Sequence, residues 1–258
     1  MQVTGSNSVQ HILSIRFSAD GFYFVLFNPK AKEGEDSYTY YIYKVNESLS
    51  LTANLKQALT DLEWLSYSYQ AVNLLIDTPR FTLMPLDLFE DEQTETVFYH
   101  NFKRIDNETV GYNILQKSNA VVLFGIDKAF HSLLLEQFPN AQLQAQTTPL
   151  IEYLSTRNRQ ARQRQMFCFI ASDRITITAM ERRNLLLCNS FESNCTADRL
   201  YYILYCWKQL GFDQLTDELL LADNTPEAEG LKQELSRYIQ QIESIASPTY
   251  LDLESIIL

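Results

Sequence analysis

Four aspartates, Asp77, Asp127, Asp173 and Asp223, each follow a short apolar run. Carboxylates at strand ends are where an α/β cleft places acid–base or metal chemistry. Asp77, Asp173 and Asp223 are therefore the first candidates for a catalytic set. Each also has a plainer use, because aspartate ends strands and caps helices. Asp127 precedes a helical run, and Asp223 stands just before Thr225-Pro226.

A second group is cationic. Arg157, Arg159, Arg162 and Arg164 crowd the segment STRNRQARQRQ. Such a row can grip an acidic protein partner or phosphates, or it can be the solvated face of a connecting helix.

The third feature is Asp20-Gly21, in the middle of LSIRFSADGFYFVLFN. Main chain that wraps a phosphate needs several closely spaced glycines. This chain has 7 glycines in 258 residues and neither GxGxxG nor GxxxxGK[ST]. Asp20-Gly21 reads instead as the tip of a tight hairpin, with Gly21 expected at positive φ.

Other chemistries find no support in the spacing. Cys168, Cys188, Cys195 and Cys206 form no CxxC, and three of them sit in apolar patterns that suit buried thiols. His11, His100 and His131 are scattered, and no serine lies in GxSxG. Neither a metal nor a bound cofactor is expected.

A formal charge of −11 repels polyanions, which argues against nucleic acid and anionic membrane as partners. The opening MQVTGSNSVQ lacks the features of a secretory signal. Apolar runs fall short of the roughly 20 residues that span a bilayer. The chain is expected to be soluble and cytoplasmic, with its oligomeric state open.

The elements that must position these residues follow from periodicity. Ile12 to Phe17 and Phe22 to Phe27 read as a hairpin, Tyr38 to Val45 as a third strand, Leu51 to Leu65 as a helix capped by Ser48 or Ser50, and Val72 to Ile76 as a buried strand. The order recurs. Met166 to Ile170, Arg174 to Met180 and Asn184 to Ser190 are strands, a helix runs from Thr196 through Trp207 to a cap at Gly211, and Glu218 to Ala222 is a strand.

The reading is thus a duplicated β-β-β-α-β unit in a mixed α/β chain, with lobes over 1–155 and 156–258. An insertion around 81–115 contains a strand pair. Ala120 to Ile126 reads as a buried strand, Lys128 to Gln137 as a helix, and Ala141 to Ala145 as an edge strand. Thr148 to Arg164 is expected as a joining helix, Pro226 to Ile245 as another, and Tyr250 to Leu258 as a last strand. Trp64 and Trp207 occupy comparable places in the two unit helices and are expected in the cores.

This order, carried by LSIRFSADGFYFVLFN, QMFCFIASDRITITAM and the elements behind each, resembles the actin-like ATPase superfamily of sugar kinases, actin and heat-shock chaperones. More closely, the chain is similar to a family of Bacteroidota proteins with this ribonuclease H-like fold and no assigned activity. Nucleotide-binding members of the superfamily carry D-x-G in each hairpin, the Asp organising magnesium and the Gly admitting phosphates. The matching places here hold Ser14 and Arg16, then Phe169 and Ala171. The turn that contacts adenosine in the superfamily aligns with LLLADNT, which has no glycine.

The resemblance therefore implies the fold with degenerate phosphate loops, a binding or scaffolding module rather than an enzyme. The competing expectation is a kinase or ATPase that binds Mg-ATP at a site rebuilt from Asp77, Asp173 and Asp223.

Overall fold

The computed structural model describes all residues except 1–3, 5–6, 33–35, 159–162, 172, 183, 224, 226, 246–247 and 258. In chain order the first unit comprises β1 (Ile12–Phe17), β2 (Gly21–Phe27), β3 (Tyr38–Lys44), α1 (Leu51–Asp61) and β4 (Ala71–Ile76). Then come β5 (Phe81–Pro85), α2 (Thr94–Asn101), β6 (Glu108–Leu115), β7 (Ala120–Asp127), α3 (Lys128–Gln137), β8 (Gln142–Ala145) and α4 (Thr147–Asn158). The second unit has β9 (Gln165–Ile170), β10 (Arg174–Glu181), β11 (Asn184–Glu192), α5 (Thr196–Gln209), β12 (Glu218–Asp223), α6 (Ala228–Leu235), β13 (Gln241–Ser244) and α7 (Leu251–Ser255).

The duplication is real and extends one strand beyond the sequence reading. The first sheet has the order β3-β2-β1-β4-β8 and the second β11-β10-β9-β12-β13. In both, the first strand pairs antiparallel with the second and parallel with the fourth, and the fifth adds in parallel at the edge. β1 shows why a strand forms here. Leu13, Ile15 and Phe17 alternate onto a face that packs under α1 and α3, where they are at most 1% exposed. Ser50 caps α1 by accepting the Ala53 amide, as expected.

Several expectations are corrected. The run from Pro226 to Ile245 is not one helix: α6 stops at Leu235 and the chain returns as β13 beside β12. Tyr250 to Leu258 is not a strand, since its described part holds the short helix α7. The two strands around 81–115 do not pair with each other. They flank β7 in a three-stranded antiparallel sheet of order β5-β7-β6, and Val122, Phe124 and Ile126 carry the first core into it.

Gly21 does not adopt a left-handed φ; among the described glycines only Gly211 does, at φ 65°. The turn closes with Ser18 N donating to Gly21 O, and Gly21 already belongs to β2, paired with Lys44. A Cβ there would lie 3.3 Å from the Tyr43 carbonyl, so glycine serves strand approach rather than turn conformation.

Gly211 ends α5 as expected, its amide donating to the Lys208 carbonyl. Nothing lies within 4 Å of where its Cβ would be. Gly211→Ala should therefore cost only the backbone penalty, about 1–2 kcal/mol by urea unfolding. A larger loss would mean a steric contact that the geometry denies.

Trp207 is buried in the second core against Phe212, and Trp64 packs edge-on to Phe24 in the first. Cys168, Cys188 and Cys206 are buried and Cys195 is exposed. Burial pushes the Cys188 thiol up to about 12 and the Cys206 thiol up to about 11, which makes both inert at neutral pH. No helix among the described residues is long and apolar enough to cross a membrane.

Candidate functional site

A cleft of about 700 Å³ opens between the two sheets. Its floor is made by the ends of β1 and β4 on one side and by β9 and the start of β10 on the other. This is the crevice at strand ends where open α/β sheets place their ligands.

Asp77 lies one residue past β4, its amide donating to the Phe17 carbonyl. Both of its carboxylate oxygens are engaged. Ser18 Oγ donates to Oδ2 at 2.5 Å, and Arg174 Nη2 donates to Oδ1 at 2.5 Å from across the cleft. The Arg174 and Asp77 side chains are 13% and 9% exposed, so this pair is largely withdrawn from water. Asp173 holds the same guanidinium through Nη1 at 3.1 Å but is itself 59% exposed. Burial opposes the charge on Arg174; Asp77 and Asp173 outweigh it and raise its pKa, which keeps it a cation.

Behind this pair stands a second one. Arg16, on β1, is 5% exposed, and its Nη1 donates to both oxygens of the wholly buried Asp252 at 2.9 Å and to the Thr249 carbonyl at 2.9 Å. The guanidinium lies 4.2 Å over the Tyr23 ring. Burial would lower its pKa, but Asp252 and Asp77 together raise it. Tyr23 is pushed up to about 12 by burial and by Asp20, so its hydroxyl stays protonated and donates to Asp20 at 3.0 Å.

Of the three candidate carboxylates, Asp77 and Asp173 meet around Arg174. Asp223 does not join them: its Oδ1 accepts the Thr225 amide at 2.8 Å, shaping the turn after β12. Asp127 has the structural use, capping α3 through the Phe130 amide and accepting from Asn107 at 2.6 Å.

The arginine row breaks up. The described part of the expected helix runs to Asn158, and Arg159 and Arg162 lie outside the described residues. Arg157 pairs with Glu243 at 2.6 Å. Arg164 is a structural residue: it binds the nearly buried Asp217, donates to the Leu210 and Gly211 carbonyls and stacks 4.7 Å over Phe212. Each of the two described arginines, Arg157 and Arg164, is thus tied to an acidic side chain rather than free in solvent.

Sequence reasoning missed Arg16, Arg174 and Asp252 as site residues. One signal was available. Arg16 stands between Ile15 and Phe17 in a strand that reads as buried, and a buried guanidinium requires a partner.

The carboxylates that would face a magnesium nucleotide are already engaged within the protein. A hard cation needs free oxygen ligands, yet the Asp77 oxygens are bound to Ser18 and Arg174, and Asp173 turns to the same arginine. Ser14 is buried within the sheet, accepting from Asn73, and Phe169 lines the cleft where an aspartate would be needed. Among the described residues no group of three or more His, Cys, Asp or Glu is placed to hold a metal.

Comparison with known proteins agrees with this architecture. Residues 2–242 match the family described as "Protein of unknown function (DUF3822)". A crystal structure from Bacteroides thetaiotaomicron, described as a protein with actin-like ATPase fold and unknown function, is similar at TM-score 0.92 and 43% identity, over 100% of this chain and 99% of that one. The PilM-PilN type IV pilus biogenesis complex is similar at TM-score 0.58 and 10% identity, over 95% and 90%. The polyphosphate/ATP-glucomannokinase of an Arthrobacter species is similar at TM-score 0.52 and 7% identity, over 96% and 98%. No curated protein matches the chain in sequence. The fold is that of the actin-like ATPases.

Proposed function

The chain belongs to the DUF3822 family, and from that premise we propose that it is a non-catalytic binding module built on an actin-like ATPase frame. The observation that carries this reading is the Arg174–Asp77 pair, in which an internal guanidinium occupies a carboxylate on which a rebuilt magnesium site would depend. The cleft's remaining charge is acidic, with Asp20, Glu47 and Asp173 among its lining, so it disfavours a triphosphate. The ligand is a protein partner. That a protein of this fold is known in the PilM-PilN complex supports such a use of the frame.

The second reading, a nucleotide-dependent enzyme, is favoured by the approach of Asp77 and Asp173 in the cleft and by the fold shared with a glucomannokinase. Thermal unfolding with and without millimolar Mg-ATP separates the two. A ligand at 100 times its Kd stabilises by about 2.7 kcal/mol, which raises the midpoint of a chain this size by roughly 5–10 °C. The expected result is no shift beyond the magnesium control, and a shift of that size refutes the binding-module reading.

A further inference from the structure

The short helix α7 joins both units at once. Leu251, 8% exposed, packs in a cluster with Phe167, Leu220 and Ala222 of the second sheet and Leu150 and Leu154 of α4. Leu253, wholly buried, packs instead with Val25 and Leu75 of the first sheet. Successive helical residues turn by about 100°, so side chains two apart point to nearly opposite sides. Two leucines flanking one aspartate can thus enter two different cores.

Asp252, between them, is wholly buried and takes Arg16 of β1; its other bonds come from Gln146 Nε2 and the Leu253 amide, each at 2.9 Å. Tyr250 packs 4.5 Å from Tyr40, whose hydroxyl donates to Glu254 at 2.6 Å. A five-residue helix has no stability of its own, so its order is supplied by these contacts.

We propose that α7 is a rivet that fixes the spacing of the two units, with Arg16–Asp252 as its pin, and that Arg16 links the rivet to the cleft. Arg16 lines the cleft and its charge also feels Asp77. An occupant that draws Arg16 toward the cleft competes with Asp252 and loosens α7; an occupant that leaves it in place does not. The spacing of the units is then a property the chain sets for itself, and one that a cleft ligand can change. This inference is independent of whether the cleft takes nucleotide or protein.

Amide hydrogen exchange on the full chain tests it. In the wild type, the amides of Leu253 and Ile257 should exchange no more than about tenfold faster than those of β1, although a free helix of this length would be unprotected. Asp252→Asn should raise exchange across 251–257 by about 100-fold or more, and should also raise it in α4, which packs against α7. Unprotected amides at 253 and 257 in the wild type overturn the proposal, as does a folded Asp252→Asn protein with unchanged exchange. Should that variant not fold, Leu251→Ala decides. It keeps the pin and empties only the second-unit side, and unchanged exchange across 251–257 would defeat the rivet. None of these readouts depends on Mg-ATP, so they stand or fall apart from the thermal-shift result.

Discussion

Asp217→Ala should lower the unfolding free energy by about 3–5 kcal/mol and the thermal midpoint by roughly 10 °C. Asp217 is 5% exposed and serves three donors. It accepts the Arg164 amide at 3.0 Å, the Arg164 guanidinium through Nε at 3.1 Å and the Asp213 amide at 2.7 Å, and the Arg164 Nη2 stands in ion-pair contact at 3.0 Å. Removing the carboxylate leaves a partly buried cation with only the Leu210 and Gly211 carbonyls and leaves two amides without acceptors, and stranded groups of this kind cost more than the intact pair contributes. Asp217→Asn keeps an oxygen for only one of the two amides, which bond to different carboxylate oxygens, and should lose somewhat less than the alanine variant. Calorimetry on the two variants is the check. A loss below about 1 kcal/mol in the alanine variant would mean that water screens the pair, as it does ordinary surface ion pairs.

Arg174→Ala should cost about 2–4 kcal/mol by chemical denaturation, because it strands Asp77 with only the Ser18 hydroxyl. Asp173, mostly in water, contributes little to that figure. The double variant Arg174→Ala/Asp77→Ala removes the stranded charge as well. It should be less destabilised than the sum of the two single variants, with a coupling on the order of 1–3 kcal/mol. Additive losses would show that the two residues do not sense each other and would remove the main support for an internally occupied cleft.

Much of the frame was legible in the sequence because its signals are local. ILSIRF and FYFVLF alternate over buried faces, Ser50 and Gly211 mark helix ends, and the same order appears twice. What failed had competing periodicities. Leu231, Leu235 and Ile239 recur every four residues and imitate one helix through the region, yet Ile239 sits in the turn that delivers β13. β13 itself offers a single half-buried residue, Ile242, which is too little to announce an edge strand. YLDL alternates with period two and imitates a strand; its leucines alternate because two different cores receive them.

The candidate site was half legible for a related reason. Asp77 and Asp173 were found from their places after apolar runs, a local cue. Their neutralisation by Arg174, and the pairing of Arg16 with Asp252 236 residues away, are contacts between distant segments that no local pattern encodes. The same holds for Arg164, whose partner lies 53 residues on.

The three-stranded sheet between β4 and β8 has a kinetic consequence. In the second unit the fifth strand reaches its partner after a short excursion, with Leu219 facing Ile242, 23 residues later. In the first, Leu74 must wait for Leu143, 69 residues later, because β5, α2, β6 and β7 intervene. Loop closure becomes costlier with length and long-range pairing is slow. The second sheet should therefore complete itself sooner once its residues are available, while the first stays open at its β4 edge for longer. The Arg16–Asp252 bond joins residues 236 apart and needs surfaces from both units, so the seating of α7 is expected among the late events of folding.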